Sequence, residues 1–253
     1  MRGAFFWAIF LGLTFCLASN EAHAQAKKED ALGEGPPIQL EGVWQATYET
    51  SVDWIIPVVG SSTQRVKVRS EWSITTNGLY FKAKEKVCDV QFESSNAMIK
   101  MGVSPKAYAG LSGSLYAGKW QLGTAGWSLA TRPLQRFIGL KKPWPDAMPD
   151  APTADQLVDT DNDSSPGITL FLRGIIGADL RAIQEDNITF EGFPEGDKIV
   201  GTVRWKWVRK LLYSSNPGVS EIPQERWNPV KGTRTFTLSR VDTLSCAQEG
   251  GEN

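Results

Sequence analysis

Between Arg65 and Thr76 the chain alternates in character. Val66, Val68, Trp72 and Ile74 fall on one face, and Arg65, Lys67, Arg69 and Glu71 on the other. A period of two places successive side chains on opposite sides of a pleat, so this stretch reads as a half-buried β-strand. Asn77-Gly78 follows and predicts a tight hairpin of type I′, which needs positive φ at both central positions. Leu79, Phe81, Ala83 and Val87 carry the return strand. Cys88, Val90 and Phe92 then place the apolar set on the opposite parity, which predicts a β-bulge or a new strand near Lys86.

The rest of the chain repeats this grammar. Strands are expected from Ile38 to Tyr48, over Ala97–Met101 and Ser114–Leu122, and over Ile168–Leu172, Ala178–Gln184 and Ile188–Glu191. Ile199, Val203, Trp205 and Trp207 alternate with Thr202, Arg204 and Lys206, and a last strand runs over Thr233–Val241. Trp54–Val59 is interrupted by Pro57 and reads as an edge or turn. Ala107–Gly118, rich in Gly, Ser and Tyr, reads as a mobile loop, and Leu211–Trp227 as a long loop around Asn216-Pro217-Gly218. Trp127–Leu140 stays open, with a short helix broken by Pro133 as one option. No long helical period occurs. About eight to ten short strands with turn signals predict an all-β fold, either an antiparallel barrel or a sandwich.

The start of the chain reads as a signal peptide over residues 1–26. Arg2 precedes an apolar run from Ala4 to Ala18, and Ala22-His23-Ala24 and Ala24-Gln25-Ala26 offer overlapping cleavage patterns. A polar lead-in follows over residues 27–37, then one β domain over 38–244 and a short tail over 245–253. No later run is apolar enough to span a bilayer, so the expected location is periplasmic or secreted. His23, the one histidine, falls in the leader. The remaining chain therefore lacks the imidazole of Ser-His-Asp and Cys-His catalysis and of His-ligated zinc or haem. Cys88 and Cys246 are the two cysteines left after the leader, and in an oxidising compartment they are expected to pair.

The net charge is −1, which offers nothing general to nucleic acid, but the charge is unevenly placed. Pro143–Gly167 holds six Asp, five Pro and no Lys or Arg, whereas Gly201–Arg240 is strongly basic. The two regions are expected either to face each other or to leave a basic surface for an anionic partner. Asp159, Asp161 and Asp163 repeat the alternate carboxylates that open an EF-hand loop. Ser164 stands where that loop needs Gly and Leu170 where it needs a bidentate Glu, so the expectation is a looser calcium tie or a solvated acidic turn.

Gly42-Val43-Trp44 at the start of the first strand resembles the signature of the lipocalins and related calycins. The resemblance implies an up-and-down barrel with an apolar ligand cavity, and an Arg near the last strand packed across the Trp; Arg240 is the matching residue. The family's middle Thr-Asp-Tyr motif is missing and the chain is longer than a simple lipocalin. Arg204, Trp205, Lys206, Trp207, Arg209 and Lys210, with Arg226-Trp227, form a basic and aromatic set read as a core strand with a solvated back. As a surface it would suit anionic headgroups or polysaccharide. The expected function is non-enzymatic binding of an apolar or amphipathic small molecule, with Trp44, Trp72, Trp205, Trp207 and Arg240 as binding residues. Two other readings are kept: a cell-envelope structural or interaction module stabilised by calcium, and a carboxylate-based hydrolase drawing on Glu185, Asp186, Glu191 and Glu195.

Overall fold

The computed structural model describes residues 35–56, 60–220, 228–241 and 246. The expected leader, most of the lead-in, the Arg226-Trp227 pair and the tail other than Cys246 lie outside these residues. Eleven strands and two short helices follow one another as β1 (Gly42–Ile56), β2 (Gly60–Asn77), β3 (Tyr80–Ser94), β4 (Ile99–Val103), α1 (Ala107–Leu111), β5 (Leu115–Gly123) and β6 (Gly126–Thr131), then β7 (Leu134–Ile138), β8 (Ile168–Gly174), β9 (Ala178–Glu195), β10 (Lys198–Ser214), α2 (Pro217–Ser220) and β11 (Asn228–Arg240). Among the described residues no helix is long and apolar enough to cross a membrane.

All strand pairings are antiparallel, and eight strands close on themselves in the order β1, β2, β3, β5, β6, β9, β10, β11 and back to β1. Each neighbour in this ring is the next ring strand along the chain. The two excursions are β4 with α1, and β7 with the acidic stretch and β8. The excursion strands add to the first half of β9: β7 and β8 pair with it, and β4 pairs with β8.

The hairpin between β2 and β3 forms one residue later than expected. Asn77 pairs with Tyr80, which leaves Gly78 and Leu79 as the loop. Gly78 has φ +59 and Asn77 does not enter the left-handed region. Positive φ at the first central position is the requirement of a type II′ turn, and glycine meets it without the strain Asn77 would bear in type I′. The bulge is found at Cys88: Ser70 faces Val87 and Arg69 faces Asp89, so Cys88 is the extra residue. The inward side accordingly switches from the buried Phe81, Ala83 and Val87 to the half-buried Val90 and Phe92. Cys88 is joined to Cys246 by a disulfide with Cα atoms 4.8 Å apart, which fixes the end of the chain to the bulge.

Three segments differ from expectation, and one that was left open, Trp127–Leu140, is resolved. Ala107–Gly118 contains α1, because Ala107 and Leu111, four residues apart, bury one helical face. Trp127–Leu140 is two strands with Arg132-Pro133 between them, since Pro cannot donate to a ladder. Ala178–Glu191 is one strand rather than two. β9 runs on to Glu195 and holds β10 as far as Ser214, so the loop expected from Leu211 begins later.

Inside the ring the aromatic side chains interlock. Trp72 stacks on Tyr116 at 4.8 Å, and Phe190 sits among Trp72, Tyr48, Tyr116 and Phe236 at 4.7–5.3 Å between ring centroids. Edge and offset arrangements of this kind favour the ring quadrupoles beyond simple burial. A second, smaller core lies on the outer side of β9. There Ile183, Phe137 and Leu140 pack with Trp144, Met148, Leu157 and Leu212. The acidic stretch therefore covers the back of β9 and β10, and Lys210 fastens it by donating to the Pro149 carbonyl (2.7 Å) and to Asp150 (2.8 Å). The acidic and basic regions do meet, at this pair.

Candidate functional site

Alternation along β3, β7 and β9 turns three charged residues inward. Glu85 lies between Ala83 and Val87 on the core side of β3, and Asp186 lies between Gln184 and Ile188 on the core side of β9. Arg136 comes from β7. Its Nε donates to Asp186 at 2.7 Å and its Nη1 to Glu85 at 3.4 Å, with further bonds to the Leu111 carbonyl and Ser114. Tyr48 and Tyr116 donate their hydroxyls to the two oxygens of Glu85 at 2.9 and 3.0 Å. Gln184 Nε2 and Trp205 Nε1 donate to Asp186 at 2.6 and 3.1 Å. Arg209 donates to the Gln184 side-chain oxygen Oε1 through Nε at 2.7 Å and again through Nη2.

The network thus runs from β1 and β5 through β3 and β7 to β9 and β10, and two guanidinium groups balance its two carboxylates. Burial pushes the Tyr48 and Tyr116 hydroxyls well above their ordinary range, and the Glu85 charge beside them adds to this. Burial works against the Arg136 charge, but Asp186, the two tyrosines and Glu85 hold that guanidinium above its ordinary value. Burial brings Arg209 down to about 10, with Asp186 opposing. Glu85 and Asp186 face a shared guanidinium rather than an open cleft, so their oxygens are occupied by donors. Glu185 accepts from Gln135 and the Met148 N–H, and Glu191 pairs with Arg204 at the surface. The carboxylates considered for hydrolysis are thus dispersed over both faces of β9.

Beside this network lies a partly open cleft with about 50 Å³ of space for water-sized groups. Its walls are Val66 and Val68 of β2, Val87, Val90 and Phe92 of β3, Val103, Leu111, Ile138, Ile168 and Leu170 of the excursion elements, and Trp205 and Trp207 of β10. Its polar lining is Tyr48, Arg136, Gln184 and Arg209. Trp207 is half-buried, and its indole N–H has no partner among the described residues. The cleft lies beside a short seam of the ring: β10 pairs with β11 only from Lys198 to Gly201, and Trp205, Trp207 and Arg209 follow beyond it.

The five residues expected to bind ligand separate in space. Trp205 and Trp207 line the cleft. Trp72 is wholly buried within the aromatic core. Trp44 and Arg240 are cross-strand partners four residues along β1 from Tyr48, about 13 Å at the strand rise. The Arg240 guanidinium lies 5.8 Å from the Trp44 ring centre and donates to the Glu41 carbonyl at 3.1 Å, while Trp44 Nε1 donates to the Leu40 carbonyl at 2.6 Å. Arg204 and Lys206 point outward from β10. Glu85, Arg136 and Gln184 were not singled out in the sequence, and Asp186 and Arg209 were noted there for other roles, as a hydrolase carboxylate and as part of the basic and aromatic set. Their signal was parity: each is a polar residue on the apolar side of an alternating strand.

Asp159, Asp161 and Asp163 do converge, with one oxygen of each within 4.8 Å of the others. Asp159 accepts from the N–H groups of Asp161, Asp163 and Ser164. Asp163 accepts from the Ser165 N–H and the Thr169 hydroxyl, and Asp161 accepts from the Thr169 N–H through Oδ2. Burial raises the Asp161 carboxyl above its ordinary value; the Thr169 N–H opposes this and the neighbouring Asp163 and Asp159 reinforce it. For Asp159 burial also acts upward, but the three N–H donors outweigh it and hold that carboxyl low. Comparison of the chain with protein-family models, curated proteins and solved structures finds no match.

Proposed function

We propose that this chain is an exported, non-enzymatic β-barrel that binds an amphipathic small molecule, apolar tail inward, in the cleft between β2–β3 and β10. The observation that carries this reading is the lining. A wall of Val, Ile, Leu and Phe side chains meets the Arg209 guanidinium and the unshared Trp207 N–H at one place. Binding sites of this kind are mostly apolar, with a few convergent polar groups that fix orientation. Guanidinium and indole N–H are both donors, so the head group they suit is an acceptor, above all a carboxylate or similar oxyanion.

The cleft as it stands holds only a few waters at about 10–15 Å³ each, so a longer tail enters as β10 moves away from β2 and β3. The short β10–β11 seam supports that motion. An eight-stranded barrel is of a size that side chains can fill or that can hold one small ligand. The aromatic core fills the Trp44–Trp72 end and leaves the Trp205–Trp207 end for the ligand. The Arg240–Trp44 pair supports the lipocalin-like reading of the closed end. Titration calorimetry with octanoate, decanoate and the matching alcohols tests the proposal. One carboxylate is expected per chain, bound about tenfold more tightly than its alcohol. Arg209→Met is expected to erase the difference and Val90→Trp to block both. Absence of binding, or binding indifferent to Val90→Trp, would remove the cleft as the site.

A further inference from the structure

The loop that leads into β8 supplies a second binding site. We propose that Asp159, Asp161 and Asp163 hold one calcium ion, which ties the acidic stretch to the start of β8. Three carboxylates converge there, and no ion pair among the described residues involves any of them. The independent observation is Asp161. It is 1 % exposed, yet its Oδ1 has no hydrogen-bond partner, and the buried Thr160 hydroxyl beside it has none either. A carboxylate oxygen withdrawn from water and left unpaired is unfavourable unless something positive meets it. Every other carboxylate oxygen of the three is already held by a donor from the loop or from Thr169, so the cluster is built in advance, with one oxygen left over.

Three carboxylate oxygens within 4.8 Å of one another leave room for the 2.3–2.6 Å bonds of calcium, whose flexible shell accepts such a set more readily than the near-ideal octahedron that magnesium demands at 2.0–2.1 Å. Asp163 is exposed and Asp159 half-buried, so water reaches the site from one side and completes the shell. A site with three protein carboxylates and several waters belongs with the weaker, extracellular class, with a Kd on the order of 10⁻⁴–10⁻³ M. The consequence reaches the cleft. A side chain at Gly110 would collide with Thr160, so α1 rests directly on this loop, and α1 carries Leu111 into the cleft wall.

The experiment uses the chain without its leader, stripped with chelator and then titrated with calcium or magnesium chloride alone. Calorimetry should find one calcium per chain and magnesium at least tenfold weaker. At tenfold excess over Kd the melting temperature should rise by roughly 3–5 °C. Asp161→Asn should weaken calcium at least tenfold, yet in chelator it should melt no lower than the parent, because it removes one of three crowded charges and keeps the oxygen that Thr169 needs. Asp163→Asn, on the exposed side, is a second variant that should show the same loss. No heat and no melting shift at about 5 mM calcium would overturn the proposal, as would calcium binding that survives both variants unchanged.

Discussion

Replacing Arg136 with methionine keeps an unbranched apolar stem and removes the guanidinium and its charge. Asp186 and Glu85 then lose the donors at 2.7 and 3.4 Å, at sites where both carboxylates are fully buried. Breaking a buried pair in this way costs about 3–5 kcal/mol, because an uncompensated charge remains. For a domain of this size each kcal/mol moves the melting temperature by about 2–4 °C, so a fall of roughly 10 °C is expected. Urea denaturation followed by tryptophan fluorescence measures the loss. Adding Glu85→Gln and Asp186→Asn to Arg136→Met should recover more than half of the loss. A single variant that stays within about 1 kcal/mol of the parent would refute the idea that the network holds the interior together.

Tyr48 and Tyr116 stay neutral in the fold above pH 10, where the unfolded chain ionises them. Stability should therefore fall as pH rises beyond 10, by up to about 2.7 kcal/mol per pH unit for the pair, and tyrosinate absorbance should appear together with unfolding; Tyr48→Phe should halve the slope. Reduction of Cys88–Cys246, or Cys88→Ser, should cost about 3–5 kcal/mol in urea denaturation while leaving the far-ultraviolet spectrum of the folded state unchanged.

The β architecture was legible because burial in a half-exposed strand leaves a period of two, as in Val66, Val68, Trp72 and Ile74. The bulge at Cys88 was legible for the same reason, since a parity shift has few other causes. The turn was misplaced by one residue because Asn-Gly marks where a hairpin bends without fixing which pair is central. The polar network was missed because hydropathy treats a charged residue within an apolar set as a gap. Glu85 among Phe81, Ala83 and Val87 was passed over for this reason, and Asp186 was taken with Glu185 and Asn187 as a break between strands. Their partner Arg136 lies 50 residues or more away from either, in a segment whose pattern did not separate helix from strand. The closure of the ring through β10 and β11 was likewise beyond a local pattern, because register over such distances is set by packing. The three-Asp convergence was visible from its spacing, whereas the burial of Asp161 beneath its neighbours was not.

Under the proposed function, the Trp207 end of the interior receives a ligand while the Trp44 end is closed. Indole N–H resonances of the nitrogen-15 labelled chain, assigned by Trp207→Phe and Trp72→Phe, report on each tryptophan separately. On titration with decanoate the Trp207 resonance should shift saturably, as its unshared proton finds an oxygen, while Trp44 and Trp72 stay in place. A Trp207 resonance that does not move, or tryptophan resonances that all move together, would contradict the claim.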